Sequence, residues 1–392
     1  MRVAHVIAKL DTGGAEHALL RLARRCRERR VEQRVFALLP GGSLVASYQS
    51  SGLEPTLLDL RRAPLRSAAR LVSELREWRP DVVQTWMYHA DVLGGLAARW
   101  AGCPVVWGVR QTSIGEVATS TSVAWMYRAA RALSAHVPSA VVFNARAASV
   151  SHRRFGFRHA VSHVVHNGLD IQALGTALAD CQALRRELGI PDDALLLGHL
   201  GRFTPEKDHP TLLRAFAAAA STRPALRLVA AGRGVDGANS ALAAEVHASG
   251  LAGRVHFLGD RSDPLRVLAG LDLFVLSSLH EGFPNALLEA MALGLPCVTT
   301  DCGDAAHLAG TAAHVVARGD AQALARAIGA LADMTPSQRQ RQGAACAARV
   351  ARRFGVDAMC DGFESVWHEV ARKHQGNKKG SNHVRHCRTS AG

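Results

Sequence analysis

The chain has 392 residues, 48% of them hydrophobic and 20% charged, a balance that excludes a disordered protein and a length that suits two domain cores. Eight cysteines form no C-x-x-C pair and no compact cluster with histidine, which argues against a disulfide framework or zinc and for free thiols in a reducing cytoplasm. The net charge of +14 is uneven. Residues 1–170 carry 23 Lys+Arg against 12 Asp+Glu, residues 171–371 carry 18 against 21, and residues 372–392 carry six against none. Such a field suits nucleic acid or an anionic membrane surface, or simply keeps the chain soluble.

Met1-Arg2 leads straight into a strand-like run, Val3 to Ala8, so no signal peptide is expected. The longest uncharged run, Val35 to Leu53, is broken by Pro40-Gly41-Gly42, and no segment is expected to span a bilayer. The predicted location is cytoplasmic. After the first strand come Gly13 and Gly14, which let a backbone approach a ligand closely at the start of a helix running to about Arg30. A double glycine is otherwise just a turn.

Further strand-like runs fall at Arg34 to Leu38, Thr56 to Leu60, Asp81 to Thr85, Pro104 to Val109, Ala140 to Phe143 and His163 to His166. Helical segments between them predict a doubly wound parallel sheet, which binds ligands at the carboxyl ends of its strands. Two such ends carry polar side chains: His89 after the fourth run, with Asp91 as its local partner if it merely starts a helix, and Arg110 with Gln111 after the fifth.

A second α/β set follows at Leu195 to Leu200, Leu226 to Ala231, Val255 to Leu258, Leu271 to Ser278, Cys297 to Thr300 and Ala313 to Val316. The most informative stretch is Leu271 to Thr300. Its strand leads into Glu281-Gly282-Phe283-Pro284-Asn285, with Pro284 expected at the first helical position, and a helix to about Leu293 that Gly294 and Pro296 end. That order aims unpaired amides and a helix dipole at an anion, while Glu281 and Glu289 would reach hydroxyls beside it. A ligand with phosphates in the middle and sugars at both ends, a nucleotide-sugar, has that form. By spacing alone, two glutamates eight apart are a solvated helix face.

Glu281-Gly282-Phe283-Pro284 with Glu289-Ala290-Met291-Ala292 and Gly294-Leu295-Pro296 resembles the E-x7-E signature of the retaining GT-B glycosyltransferases called family 4. The resemblance extends to Gly13-Gly14-Ala15-Glu16, to Gly201-Arg202-Phe203-Thr204-Pro205-Glu206-Lys207 and to His166-Asn167-Gly168-Leu169-Asp170, and covers the chain to about residue 370. It implies two Rossmann-like domains facing across a cleft: an acceptor-side domain, 1–168, completed by a crossing helix at about 356–373, and a donor-side domain, 169–355. Residues 374–392 are expected to be a disordered basic tail.

The same resemblance gives Glu281 to the donor sugar, Glu289 to the ribose, and Arg202 and Lys207 to the diphosphate as leaving-group charge develops. Gly282, Phe283, Pro284, Asn285, Gly13 and Gly14 would also line the donor, and Leu258 the base. His89, Arg110 and Gln111 fall to the acceptor or sugar side, with Gln111 standing where many relatives have a histidine. Asp301-Cys302-Gly303-Asp304 is either a turn or part of the lining. No D-x-D pair occurs, so no metal and no cofactor are expected.

The implied activity is retaining transfer from a nucleotide-diphosphate-sugar to a saccharide or lipid-linked saccharide in cell-surface polysaccharide assembly. The basic first half, with Trp125-Met126-Tyr127, would touch the inner leaflet. A sugar-nucleotide epimerase shares the architecture. A phosphorylase would need a pyridoxal lysine, and only Lys9 and Lys207 precede the last helix. Binding to nucleic acid is disfavoured by the few aromatic residues and the lack of a motif.

Overall fold

The computed structural model describes residues 1–111, 121–159, 161–175 and 181–389; Thr112, at the end of the Arg110–Gln111 stretch, lies outside them. The chain divides into two compact units, one of Met1–Gly168 with Val356–Gly392 and one of Leu169–Gly355.

The first unit holds a parallel sheet of seven strands: β1 (Arg2–Ile7), β2 (Glu32–Ala37), β3 (Thr56–Leu57), β4 (Val82–Trp86), β5 (Val105–Val109), β6 (Ala140–Phe143) and β7 (Ser162–Val164). Their order is β3-β2-β1-β4-β5-β6-β7. The direction of winding reverses between β1 and β4, whose carboxyl ends carry Gly13 and His89. Valine-rich runs buried on both faces make these central strands, as a parallel sheet covered by helices requires.

The helix from Val356 belongs to this unit. Phe363 and Trp367 pack at ring separations of 5.5 to 5.7 Å with each other, Trp86 and His5, and Trp367 donates its indole N–H to Gln84 at 3.0 Å. Arg25 and Arg29 of the first helix (Gly14–Glu28 with its end at Arg29) bind Asp357 and Asp361 at 2.6 to 2.9 Å, and the Cys26 and Cys360 sulfurs meet at 3.7 Å in the core between them. Expected to stop near Lys373, this helix continues to Thr389 through the stretch read as a disordered tail. That stretch contains no proline to end it.

The second unit holds six parallel strands: β8 (Leu195–Leu200), β9 (Leu226–Ala231), β10 (Val255–Phe257), β11 (Leu273–Leu276), β12 (Cys297–Thr300) and β13 (His314–Val316). The order β10-β9-β8-β11-β12-β13 reverses between β8 and β11. Such a reversal splays two adjacent loops apart and opens a crevice at the carboxyl edge. The β8 and β11 loops are the ones that carry Arg202, Lys207 and Glu281.

Candidate functional site

After β8 the chain makes a short turn at Pro205–Lys207, and Asp208 then adopts φ +50° before capping the helix His209–Ala220 through the Thr211 N–H. After β11, Ser277 and Ser278 are fully buried and Glu281 follows three residues on. Because these parallel strands are neighbours, their loops meet. Lys207 Nζ lies 2.5 Å from Glu281 Oε1, with the side chains 20% and 11% exposed. Ser278 Oγ donates to the same carboxylate oxygen at 2.7 Å, and Ser277 Oγ donates to the Lys207 carbonyl at 2.8 Å. Thr300, at the end of β12, donates to the Ser278 carbonyl at 2.6 Å. Glu281 is therefore held by groups from three adjacent strand ends.

Two glycines fix these loops by close approach. Gly303 has φ +56°, and a Cβ there would fall 2.2 Å from the Glu281 carbonyl oxygen. Asp304 N–H donates to Gly282 O at 2.9 Å, so 301–304 is a turn that buttresses the Glu281 loop. At Gly232, φ +146°, a Cβ would fall 2.2 Å from the Gly201 carbonyl and 3.0 Å from the Arg202 nitrogen. Arg202 itself is exposed, and among the described residues its guanidinium makes no hydrogen bond or ion pair.

The helix after Glu281 runs Asn285–Ala292. Pro284 is the extended residue before it (φ −79°, ψ 98°) rather than its first helical residue, because its carbonyl accepts the Leu288 N–H while its own backbone has not yet turned. Phe283 and Pro284 are buried, and Glu289 is half-buried on the second turn. At the end of β10 the Leu258 N–H is taken by the Ala230 carbonyl at 2.9 Å, and the Gly259 carbonyl by Gly232 N–H at 2.7 Å.

Beneath the Lys207 loop lies a feature that the linear chain does not advertise. His199 on β8 and His209 on the next helix are buried, with ring centroids 5.1 Å apart. Burial, reinforced at His199 by the charges of His209 and Lys207 and at His209 by that of Lys207, pushes His199 down to about 3 and His209 to about 4. Both are neutral at pH 7. They form an uncharged floor under the cation.

In the first unit, Gly13 is extended (φ −161°), a backbone any residue adopts, and an added Cβ would meet the movable end of the Glu16 side chain, 2.4 Å from Oε2. Burial raises the Glu16 carboxyl above its ordinary range. Gly14 begins the first helix. Met87 takes φ +70° where β4 turns into Met87–His89, followed by a π-helical turn at Ala90–Gly94. Such backbone persists only when the surroundings hold it. Here Asp91 does so: buried, it accepts from Thr85 Oγ1 at 2.5 Å and Gly108 N–H at 3.3 Å, and burial lifts its carboxyl to about 7. Half-buried His89 is shifted downward by burial, which leaves a neutral imidazole able to donate or accept toward a hydroxyl.

Arg110, expected on the acceptor or sugar side, packs against aromatic rings within the first unit. Its guanidinium stacks 4.4 Å from the Trp86 ring centroid and 5.4 Å from Phe363, and donates to Asn167 Oδ1 at 2.5 Å. Burial lowers it to about 9. It braces the helix from Val356 against the sheet, a role set by residues far away in sequence. Gln111 is exposed. Among the described residues no three of His, Cys, Asp and Glu converge to hold a metal ion, Cys26, Cys103, Cys181, Cys297, Cys302, Cys346 and Cys360 are free thiols, and no helix is long and apolar enough to cross a membrane.

Comparison with known proteins matches residues 12–173 to the Glycosyltransferase Family 4 model and residues 194–334 to the Glycosyl transferases group 1 model. The putative glycosyltransferase EpsF of Bacillus subtilis is 28% identical over 320 residues, 76% of this chain and 79% of that protein. The UDP-Gal:alpha-D-GlcNAc-diphosphoundecaprenol alpha-1,3-galactosyltransferase of Escherichia coli is 26% identical over 243 residues, 60% of this chain and 62% of that enzyme. Among solved structures, HepE of Anabaena in complex with UDP-glucose superposes with a TM-score of 0.78 at 23% identity, over 94% of this chain and all of that one, which is a likeness of fold.

Proposed function

This chain belongs to the group 1 and family 4 glycosyltransferases, enzymes of the GT-B fold, and from that premise we propose that it transfers a sugar from a nucleotide-diphosphate-sugar to a saccharide or lipid-linked saccharide, with retention and without a metal. Relatives named for lipopolysaccharide core biosynthesis and for transfer to a diphosphoundecaprenol-linked sugar, and a fold neighbour carrying UDP-glucose, support the substrate classes. The observation that carries the reading is the 2.5 Å Lys207–Glu281 pair at the reversal of strand order, with Arg202 exposed on the same loop as Lys207.

In this reading the diphosphate sits against Arg202, Lys207 and the amides that begin the Asn285–Ala292 helix. Glu281 accepts from hydroxyls of the donor sugar and Glu289 from those of the ribose. The bond from the anomeric carbon to the β-phosphate oxygen breaks with its electron pair going to the diphosphate, and the fixed cations neutralise that charge as it develops. The acceptor oxygen bonds to the same face of the sugar, and its proton passes to the departing phosphate oxygen. No protein nucleophile is required. The uncharged His199 and His209 below add no competing charge and leave the Lys207 field undiluted.

The basic first unit is read as resting on the anionic inner leaflet. Leu65 is 85% exposed beside exposed Arg61, Arg62 and Arg66, and Trp125 is 66% exposed with Arg128 stacked at 5.6 Å. Flotation with liposomes tests this, and equal recovery with neutral and anionic lipid removes it. For the reaction, a panel of UDP-, GDP- and ADP-sugars is screened by thermal shift in EDTA. The donor that raises the melting point is then used for NMR of the product's anomeric proton. Inversion, or activity abolished by EDTA and restored by magnesium, would overturn the corresponding part of the reading.

A further inference from the structure

The first unit carries a second concave site on the β3-β2 side of β1. A cavity of about 330 Å³ opens there, lined by Lys9, Leu39, Pro40, Asp59, Arg61 and Arg62. Lys9 follows β1, Leu39 and Pro40 follow β2, and Asp59 to Arg62 follow β3, so every wall comes from a strand's carboxyl end, the ligand-bearing edge of such a sheet.

The walls are tied together by the main chain. Leu39 N–H donates to Ala8 O at 2.9 Å, Leu60 N–H to Leu38 O at 3.1 Å and Leu44 N–H to Leu10 O at 2.9 Å. Gly42, at φ +125°, lies so close that a Cβ would fall 2.2 Å from the Leu10 carbonyl oxygen, and Thr12 and Ser43 join their hydroxyls at 2.7 Å. The cavity is thus part of the fold and not a gap between loose loops.

Its charge is unbalanced in a way that asks for a ligand. Among the described residues the Arg61 and Arg62 guanidiniums make no ion pair or hydrogen bond, and both are exposed. Asp59 accepts the Arg62 main-chain N–H at 3.0 Å, which turns its carboxylate to shaping the loop. Lys9 pairs with Asp11 at 2.8 Å, but with the side chains 41% and 51% exposed this pair is weak and exchangeable. Three cations therefore line a pocket of ligand size against one carboxylate, Asp59, a lining charge of +2, and guanidiniums favour phosphate over uncharged sugars because two N–H groups match two of its oxygens.

We propose that this cavity is an anion subsite that takes a phosphate or diphosphate group of the acceptor. It rests on the transferase reading given above. The loop that begins at Lys9 continues to Gly13, so an anion held here places the rest of the acceptor along the edge where Gly13 and His89 flank the reversal between β1 and β4. The same phosphate chemistry is offered by a lipid-linked diphosphate, for which exposed Leu65 just beyond Arg62 would meet the acyl region, and by a free sugar phosphate.

The test titrates the full-length chain with inorganic pyrophosphate by calorimetry in low salt, using wild type, R61Q/R62Q, K9Q and R202Q. Wild type should show two classes of site. R61Q/R62Q should weaken one class by roughly tenfold or more, the loss of two charge-assisted contacts, and leave the other unchanged. K9Q should weaken that same class less. R202Q should affect only the other. If R61Q/R62Q binds with wild-type stoichiometry and affinity, the subsite does not exist. A single class that only R202Q removes overturns the subsite and leaves the donor reading standing, whereas a single class that only R61Q/R62Q removes does the reverse. Because the arginines are exposed, an unchanged melting midpoint verifies folding.

Vesicles then separate the sources. Phosphatidylcholine doped with a polyprenyl diphosphate is compared with phosphatidylcholine carrying phosphatidylglycerol at equal charge. Arginine-dependent binding to the first alone assigns a lipid-linked diphosphate, and binding to neither, with pyrophosphate still bound, assigns a free phosphorylated acceptor. Equal arginine-dependent binding to both overturns a specific phosphate subsite in favour of a charged surface.

Discussion

Replacing Glu281 by glutamine separates binding from chemistry. The carboxylate holds Lys207 at 2.5 Å and Ser278 at 2.7 Å in a largely buried setting. Glutamine keeps the shape and the oxygen that Ser278 reaches but removes the charge that balances Lys207. A hydrogen bond to a charged group is worth about 1.5–3 kcal/mol, so the free chain should lose about 2 kcal/mol and melt about 4–8 °C lower for a unit of this size. A bound diphosphate supplies the missing counter-charge. Affinity for the nucleoside diphosphate should therefore hold or tighten, by about fivefold if half of the lost pairing is recovered. Transfer, which in our reading needs an ionised acid on the donor hydroxyls, should fall by about 10²–10³ in kcat/KM. Calorimetry with the nucleoside diphosphate and a product assay on the same preparation measure both. If affinity and turnover fell together, the pair would be a simple diphosphate clamp and the division of roles between Glu281 and Lys207 would be wrong.

Glu289→Ala should weaken nucleoside diphosphate binding by about tenfold, the worth of one charge-assisted contact, and unchanged affinity in calorimetry would remove its ribose role. Gly303→Ala introduces a Cβ 2.2 Å from the Glu281 carbonyl at a left-handed φ, and should cost about 1–3 kcal/mol in a urea melt and reduce turnover. Activity and stability at wild-type levels would show that the loop yields freely. His5, His152, His199 and His209 are all pushed down by burial, to between about 3 and about 4, so the folded chain binds fewer protons than the unfolded one below pH 6.5. Stability should therefore drop as pH falls from 6.5 toward 4, read by urea midpoints. Asp91 has the opposite sign. Raised to about 7, it holds a proton that the unfolded chain has released above about pH 4, and so its contribution declines as pH rises from 4 to 7. Asp91→Asn, which keeps the acceptor for Thr85 and Gly108, should steepen the net gain of stability with pH across that window; a parallel curve would mean that Asp91 is ionised throughout.

The strands and their ends were readable because β-branched runs such as Val105–Val109 and Cys297–Thr300 are bounded by glycine and proline, and those signals are local. The loops bearing Arg202, Lys207 and Glu281 were readable for the same reason. That Lys207 and Glu281 touch was not, because it depends on β8 and β11 being neighbours, a fact of strand order that no local pattern encodes. The same holds for Ser278, Thr300 and Gly303, which support Glu281 from other strand ends, and for the uncharged pair His199 and His209. The packing of Arg110 was not readable either, because Trp86 and Phe363, which enclose its guanidinium, are distant from it in sequence. Pro284 sits one place earlier than its usual preference because Phe283 and Pro284 are packed inward before the helix turns.

The placement of Val356 onward in the first unit also bears on how the protein is made. Trp86, His5 and Cys26 find their covering groups in Phe363, Trp367 and Cys360, which leave the ribosome after the whole of the second unit. The portion synthesised first is thus the portion completed last, and until the helix from Val356 has emerged it presents an aromatic face to solvent. Folding intermediates with an uncovered apolar surface of that kind are the species that chaperones hold. A ribosome stalled short of residue 363 should carry a protease-sensitive first unit beside a protected second one.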